Sequence, residues 1–103
     1  MPKETPDMAV QLRRYQLVPG MMDEFLAWFP GIVPVREKYG FKVLFAYADR
    51  ESNEFTWAVS HDGDFDAALE VYNDSPERAA LFEGQPKRVE EMHVAMVEPT
   101  PGV

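Results

Sequence analysis

The chain has 103 residues without a cysteine, and ten Lys and Arg against eighteen Asp and Glu give it a net charge of −8. This length supports one modest hydrophobic core and therefore one domain, and the missing cysteines exclude a disulfide framework, an iron–sulfur site and a thiol nucleophile. The negative charge repels phosphate backbones and anionic lipid surfaces, so nucleic acid and membranes are not expected partners.

The start of the chain is polar and contains two prolines, without the apolar core of a signal peptide. No apolar stretch reaches the roughly 18–20 residues that cross a bilayer. We therefore expect a soluble, cytoplasmic protein with a single domain over residues 1–103, in which a core of about residues 9–98 lies between short disordered tails.

The first predicted elements are a strand and an amphipathic helix. Residues 9–17 form a strand candidate, which Val18-Pro19-Gly20 ends because proline removes a donor and glycine permits a turn. A helix is expected to begin near Met21. Its apolar residues recur three and four positions apart and form one stripe, which consists of Met22, Phe25, Leu26, Phe29, Ile32 and Val33.

Two prolines interrupt this helix. Pro30 and Pro34 each delete a hydrogen bond and clash with the carbonyl group four residues earlier. We expect a kink or a break near residues 29–31 and a second helical stretch around residues 35–39, with Gly40 as its C-terminal cap.

The second half of the chain predicts a hairpin, two helices and a last strand. Residues 41–48 and 54–60 read as strands that flank a polar turn. Asp64 is placed to cap a helix, and Ser75-Pro76 restarts it with serine at the cap and proline at the first helical position. The last strand candidate covers residues 89–97. The order β-α-β-β-α-β is the ferredoxin-like arrangement of the α+β class, with a four-stranded antiparallel sheet in the order 4-1-3-2 and the helices on one face.

Both faces of this predicted sheet are largely apolar. Alternation in the second strand gives two sets of residues, which are Phe41, Val43, Phe45 and Tyr47 on one face and Lys42, Leu44, Ala46 and Ala48 on the other. One layer of helices covers only one face, so the other would expose an apolar patch to water. We therefore expect a homodimer built sheet against sheet, a dimeric α/β barrel whose lumen is suited to a small organic molecule.

The sequence also resembles the NIPSNAP family of the dimeric α/β barrel superfamily. The similarity lies in four segments, which are Leu12-Arg13-Arg14-Tyr15-Gln16-Leu17-Val18-Pro19-Gly20, Asp23-Glu24-Phe25-Leu26, Val33-Pro34-Val35-Arg36-Glu37-Lys38-Tyr39-Gly40 and Asn53-Glu54-Phe55-Thr56-Trp57 with Phe65. It departs from the family around Gly63, where many members carry a large residue. The resemblance implies a homodimeric ferredoxin-like barrel of mostly unassigned biochemical role. The superfamily includes cofactor-independent monooxygenases, isomerases, cyclases, haem-dependent enzymes and binding proteins, so the fold does not select among them.

Two histidines are the candidate catalytic bases. His61 follows the third strand and precedes two aspartates, whose carboxylates can orient and tune its ring. A solvated turn histidine is the alternative. His93 lies within the fourth strand, where a buried imidazole bonded to a neighbour is the alternative. If the face of His93 lines the barrel, it joins Gln11, Arg13 and Tyr15 of the first strand in a polar cluster suited to a ligand.

Aromatic and acidic residues complete the candidates. Tyr47 and Trp57 are ligand-binding candidates because they can wall a pocket, with packing across paired strands as the alternative. Asp62, Asp64 and Asp66 resemble the start of a calcium loop, but the sixth and twelfth positions of such a loop carry neither glycine nor glutamate, so helix capping explains them better. No metal and no cofactor, haem included, is expected.

These observations lead to a small-molecule-binding homodimer of unassigned role. The alternative is a small cofactor-independent enzyme, a monooxygenase, isomerase or cyclase, with His93 or His61 as base and with Arg13 and Tyr15 holding an anionic or phenolic substrate.

Overall fold

The computed structural model describes residues 9–102 as one sheet with helices on one of its faces. Its elements are β1 (Ala9–Leu17), α1 (Met22–Trp28), a 3-10 turn (Phe29–Gly31), α2 (Ile32–Lys38), β2 (Phe41–Asp49), β3 (Glu54–His61), α3 (Phe65–Asn73), α4 (Pro76–Phe82) and β4 (Val89–Val97). The strands are antiparallel in the order β2-β3-β1-β4. The predicted ferredoxin-like α+β arrangement and its strand order are confirmed. The predicted N-terminal tail lies outside the described residues.

The sheet is open, with β2 and β4 as its edges. One chain therefore does not form a barrel by itself, and closure of the expected dimeric barrel stays a prediction. Within the described 94 residues no helix is long and apolar enough to span a membrane. The cellular location stays a prediction as well.

The prolines act on the first helix largely as predicted. Pro30 lies in the 3-10 turn that joins α1 to α2. The helix resumes at Ile32, earlier than the predicted start at residue 35. Pro34 falls in the first turn of α2, where the backbone N–H that proline lacks would have no partner within the helix.

Short polar residues and one glycine set the other helix boundaries. The Oδ1 atom of Asp64 accepts a hydrogen bond from the backbone N–H of Ala67 over 3.0 Å at the start of α3. The hydroxyl of Ser75 accepts one from Arg78 at the start of α4, whose first residue is Pro76. Gly40 follows α2 with a φ of 92°, a left-handed conformation that favours glycine. All three predicted caps are confirmed.

Aromatic packing holds the helix layer on the sheet. Phe25 of α1 and Phe29 of the 3-10 turn each lie with their ring centroids 4.7 Å from that of Phe55 on β3. The ring of Phe29 also meets Trp57 edge to face at 5.1 Å. Such pairs contribute about 0.5–1.5 kcal/mol each beyond the area that they bury. The predicted apolar stripe of the first helix therefore faces the core.

A β-bulge in β2 changes which side chains face the helices. The partner of Val43 on β3 is Val59, but the partner of Phe45 is Ala58, so the register shifts at Leu44. An extra residue turns every later side chain of a strand to the other face. The assignment of Phe45 and Tyr47 to one face with Phe41 and Val43 was therefore wrong. We call the face of the sheet away from the helices the open face.

A polar contact joins α2 to α4. The Nζ atom of Lys38 donates to the Glu77 carboxylate, and the hydroxyl of Tyr39 donates to its Oε1 atom over 2.6 Å. The bonds from Lys38 and then Tyr39 lower the pKa of the Glu77 carboxyl from 4.5 to about 2. The same carboxylate raises the pKa values of Lys38 and Tyr39.

Glu77 is expected to give the fold a specific acid sensitivity. Because its pKa is lower in the folded state, its contribution to stability is complete above the unfolded pKa of 4.5 and falls away as the pH drops towards 2. In the wild type, the urea concentration at the midpoint of unfolding should fall as the pH drops from about 5 to about 2. We expect this fall to be smaller in Glu77→Gln. Glu70→Gln, an exposed change on α3, is the control and keeps the wild-type decline. Equal declines in both variants would contradict this role of Glu77.

Candidate functional site

A cavity of about 100 Å³ lies between the sheet and the helix layer. Its walls come from six helices and strands besides β1, so every α-helix and every strand except β2 contributes to it. The lining residues are Arg13, Tyr15, Phe25, Trp28, Ile32, Arg36, Trp57, Tyr72, Arg78, Phe82, Val89 and Met92. Among the described residues that line it, none is acidic and three are arginines.

Alternate residues of β1 form a hydrogen-bonded row on the helix-facing side of the sheet. The Nε atom of Arg13 donates to the hydroxyl of Tyr15 over 2.7 Å, and its Nη1 atom donates to Gln11 Oε1 over 2.6 Å. Arg13 and Tyr15 line the cavity, whereas Gln11 contacts the cavity only through its hydrogen bond to Arg13. The structure thus brings these three predicted residues together, but on the side of the sheet that faces the helices.

Arg36 lies on the helical face that supplies Trp28 and Ile32. These residues are four apart, so the helical repeat stacks them on one side of the run through α1 and α2. The side chain of Arg36 is packed among aromatic rings, with Cζ 4.2 Å from the ring centroid of Tyr72 and 5.2 Å from that of Trp57. Arg36 is only 4% exposed. It is a buried cation held mainly by aromatic faces.

Two residues that line the cavity carry donors without acceptors. Among residues 9–102, the Nε and Nη1 atoms of Arg36 and the Nε1 atom of Trp57 are buried and find no hydrogen-bond partner. We call these three nitrogen atoms the open donors. Arg88, the other buried arginine, also has an Nε atom without a hydrogen bond, but the Glu24 carboxylate lies 3.5 Å from that atom and balances the charge, and Nη2 of Arg88 donates to Gln85. Arginine and the tryptophan indole can only donate, so only a group that accepts hydrogen bonds can pair with the open donors.

Burial lowers the pKa of the Arg36 guanidinium from its ordinary value, and Arg13 lowers it further, whereas Tyr72 and Tyr15 oppose both effects. Arginine nevertheless stays protonated in proteins. Arg13 shares the aromatic environment, with its Cζ atom 5.4 Å from the Trp57 ring centroid. The cavity therefore concentrates positive charge inside a chain whose net charge is strongly negative.

A second cavity of about 240 Å³ adjoins the first. The two share Phe25, Trp28, Phe82, Val89 and Met92 as walls. The segment 85–88 between α4 and β4 forms one wall of the second cavity, which is open to solvent and whose other walls are mostly apolar. An engineered apolar cavity of about 150 Å³ holds a benzene molecule, so this space is large enough for an aromatic ring.

His93 lies on the open face. The strand register pairs it with Arg14, whereas Tyr15 pairs with Met92 and Arg13 with Val94. Neighbouring positions on a strand point to opposite faces, so His93 does not join Gln11, Arg13 and Tyr15, and the predicted grouping was wrong. His93 borders a shallow groove with Leu12, Arg14, Val94 and Ala95 instead. Its catalytic role stays a prediction.

His61 holds the turn that follows β3. Its Nδ1 atom accepts a hydrogen bond from the backbone N–H of Gly63 over 2.9 Å, and its ring meets Phe41 edge to face. A neutral imidazole that accepts at Nδ1 carries its proton at Nε2, which leaves no free lone pair for a base. The geometry thus favours the turn role over the catalytic one, which stays a prediction.

The two aromatic candidates, Tyr47 and Trp57, lie on opposite faces of the sheet. Trp57 is 1% exposed and lines the cavity, whereas Tyr47 is 70% exposed on the open face of the edge strand β2. The bulge at Leu44 is the reason, because it turns Tyr47 away from the helices. Within the described part of the chain, no group of three or more acidic or histidine side chains is placed to hold a metal.

The residue missed by the sequence analysis is Arg36. It falls seven residues after Phe29 and four after Ile32, so it occupies a position of the predicted apolar stripe. A lone charge in such a stripe was the available signal. It was obscured because Pro34 made the helix around it uncertain.

Solved structures share this arrangement. An uncharacterized NIPSNAP-like domain protein from Burkholderia xenovorans has a TM-score of 0.82 at 14% identity, covering 96% of this chain and 90% of that chain. A NIPSNAP family protein of unknown function from Agrobacterium tumefaciens has a TM-score of 0.81 at 12% identity, covering 96% and 94%. The chain has the fold of the NIPSNAP proteins. The predicted resemblance is therefore confirmed at the level of the fold.

The NIPSNAP fold does not identify the activity of a protein. A protein from Bacteroides thetaiotaomicron that is provisionally named an antibiotic biosynthesis monooxygenase has a TM-score of 0.72 at 24% identity, covering 93% of each chain. No family model and no curated protein matches this chain. Since one fold hosts many functions, this similarity does not assign a function to the chain.

Proposed function

We propose that this protein binds a small organic molecule in the cavity between its sheet and its helices. The observation that carries the proposal is a partly open cavity, half of whose lining residues are aromatic and two of whose lining residues, Arg36 and Trp57, carry the open donors. Leaving buried donors without acceptors costs about 1–3 kcal/mol each, so a fold that keeps them there is explained by a guest that pairs with them. From the sequence, the ligand was expected in the lumen of a dimeric barrel. We place it in this cavity instead, because the predicted ligand-binding residues Arg13, Tyr15 and Trp57 line the cavity.

The histidine-dependent enzyme has less support from this geometry. A general base must reach its proton directly or through one water molecule. Neither His61 nor His93 is among the described residues that line the cavity. Binding is therefore the function that the cavity favours.

We further propose that two copies associate through the open face. Phe45 and Tyr47 on β2 and Val97 on β4 are exposed there, next to the smaller Ala95. A second copy that lays its own open face against this one removes both apolar surfaces from water at once. Similar packing of two sheets is common, with about 10 Å between them.

Filling the cavity is expected to prevent binding of a neutral probe. Val89 lines both cavities, so Val89→Phe should occupy the space that a ring would take. Both tryptophans of the chain line the first cavity, and their two indole N–H signals in a ¹⁵N-correlated NMR spectrum can be followed during titration with benzyl alcohol. We expect a saturable shift of the Trp28 signal in the wild-type protein and its loss in Val89→Phe.

The matched control is Val71→Phe, the same change at an exposed position of α3. It should leave the titration unchanged. A wild-type protein whose indole signals do not respond, or a Val89→Phe variant that responds like the wild type, would contradict the cavity proposal.

A charge on the open face is expected to separate the two copies. Phe45→Lys places an ammonium group on the proposed interface, and since Phe45 is exposed in the single chain the fold itself should tolerate it. Sedimentation velocity at micromolar concentration should give a dimer for the wild type and a monomer for Phe45→Lys. Val71→Lys on the outer surface of α3 is the control and should stay dimeric. A monomeric wild type, or a dimeric Phe45→Lys, would overturn the proposed association.

A further inference from the structure

The open donors restrict the chemistry of the guest. They belong to a guanidinium group and an indole, both of which donate and neither of which accepts. Arg36 also carries a full positive charge, and the lining offers no carboxylate among the described residues to balance it. Removing one partner of a buried charge pair is strongly destabilising, so a buried cation without its anion favours a guest that supplies one.

Size and polarity restrict the guest further. The first cavity of about 100 Å³ is smaller than the cavity of about 150 Å³ that holds a benzene molecule, whereas the second, of about 240 Å³, is larger. Aromatic walls cannot replace the strong hydration of a doubly charged phosphate group. A carboxylate carries one charge, which a single guanidinium balances, and it is small and planar.

We propose that the site takes a small monocarboxylate with an aromatic body, whose carboxylate lies at Arg36 and Trp57 in the first cavity and whose ring lies in the second. This assignment rests on the proposed binding function. Arg36 supplies the charge, and Trp57 Nε1 donates a further hydrogen bond. Trp28 and Phe82, whose ring centroids are 5.0 Å apart, lie where the two cavities meet and contact the guest between its head and its ring.

Arg13 is assigned to the mouth of the site. It is half-buried, and its hydrogen bonds to Tyr15 and Gln11 already occupy two of its nitrogen atoms. It therefore attracts an anion towards the cavity and adds positive potential there, while Arg36 makes the direct contact.

The test compares phenylacetate with phenylacetamide, which has the same shape but no charge. Titrations are followed through the indole N–H signals of Trp28 and Trp57, which the variant Trp57→Phe assigns. We expect phenylacetate to bind at least about 10-fold more tightly than phenylacetamide, the difference that hydrogen bonds to a charged group provide. We also expect the Trp57 signal to move downfield with phenylacetate, because its N–H gains an acceptor.

Arg36→Met removes the charge and keeps an unbranched side chain of similar length. We expect it to weaken phenylacetate binding about 10- to 100-fold and to weaken phenylacetamide binding less, because the amide oxygen loses a donor but no charge partner. The control is Arg50→Met, which removes the same charge from the exposed turn after β2, where Arg50 pairs with Asp23. Should Arg36→Met fail to fold, the comparison of the two probes on the wild-type protein still decides the question.

The outcomes separate the two proposals. Equal binding of phenylacetate and phenylacetamide would overturn the carboxylate assignment and leave the cavity proposal standing. Tighter binding of phenyl phosphate than of phenylacetate would overturn it in favour of a phosphoryl group. Failure of these probes and of benzyl alcohol alike would overturn both proposals, whereas binding of benzyl alcohol alone would overturn only this one.

Discussion

The burial of Arg36 without an acidic partner among residues 9–102 is the constraint on which the proposed site depends. A guanidinium loses much hydration when it enters the interior, and aromatic faces return only part of that free energy. The ring centroid of Tyr72 at 4.2 Å and that of Phe41 at 5.1 Å give Arg36 this partial compensation. The remaining cost is the reason for proposing that a ligand with hydrogen-bond acceptors binds in the cavity.

The fold places this cation by combining a helix face with a sheet face. The run from α1 to α2 passes over Pro30 without losing its helical direction, so Arg36 stays in line with Trp28 and Ile32. The side chains of β1 and β3 that face the helices then supply Arg13 and Trp57 opposite to it. Each element alone is ordinary, and the cavity exists because the two layers meet there.

Local rules predicted most of the fold. β1 and β4 have the predicted limits, and the caps at Asp64 and Ser75 are as expected, since alternation and capping depend on residues close together in the sequence. The bulge at Leu44 was not predictable in this way, because both faces of β2 are apolar and the alternation carries no mark of a shift. One extra residue was enough to place Tyr47 on the face opposite to the predicted one.

The site was predicted in part, for the same physical reason. Alternate residues of one strand share a face, so Gln11, Arg13 and Tyr15 could be grouped from sequence alone. Which face that is depends on how the strands pair and where the helices lie, and there His93 was grouped wrongly. Arg36 was missed because its burial depends on contacts between distant parts of the chain.

The most direct measurement is a crystal structure of the protein grown with phenylacetate. We expect a carboxylate oxygen within about 3 Å of a nitrogen atom of Arg36 and the phenyl ring beside Trp28. A phenylacetate molecule bound on the open face, or one in the cavity whose carboxylate points away from Arg36 towards solvent, would contradict it.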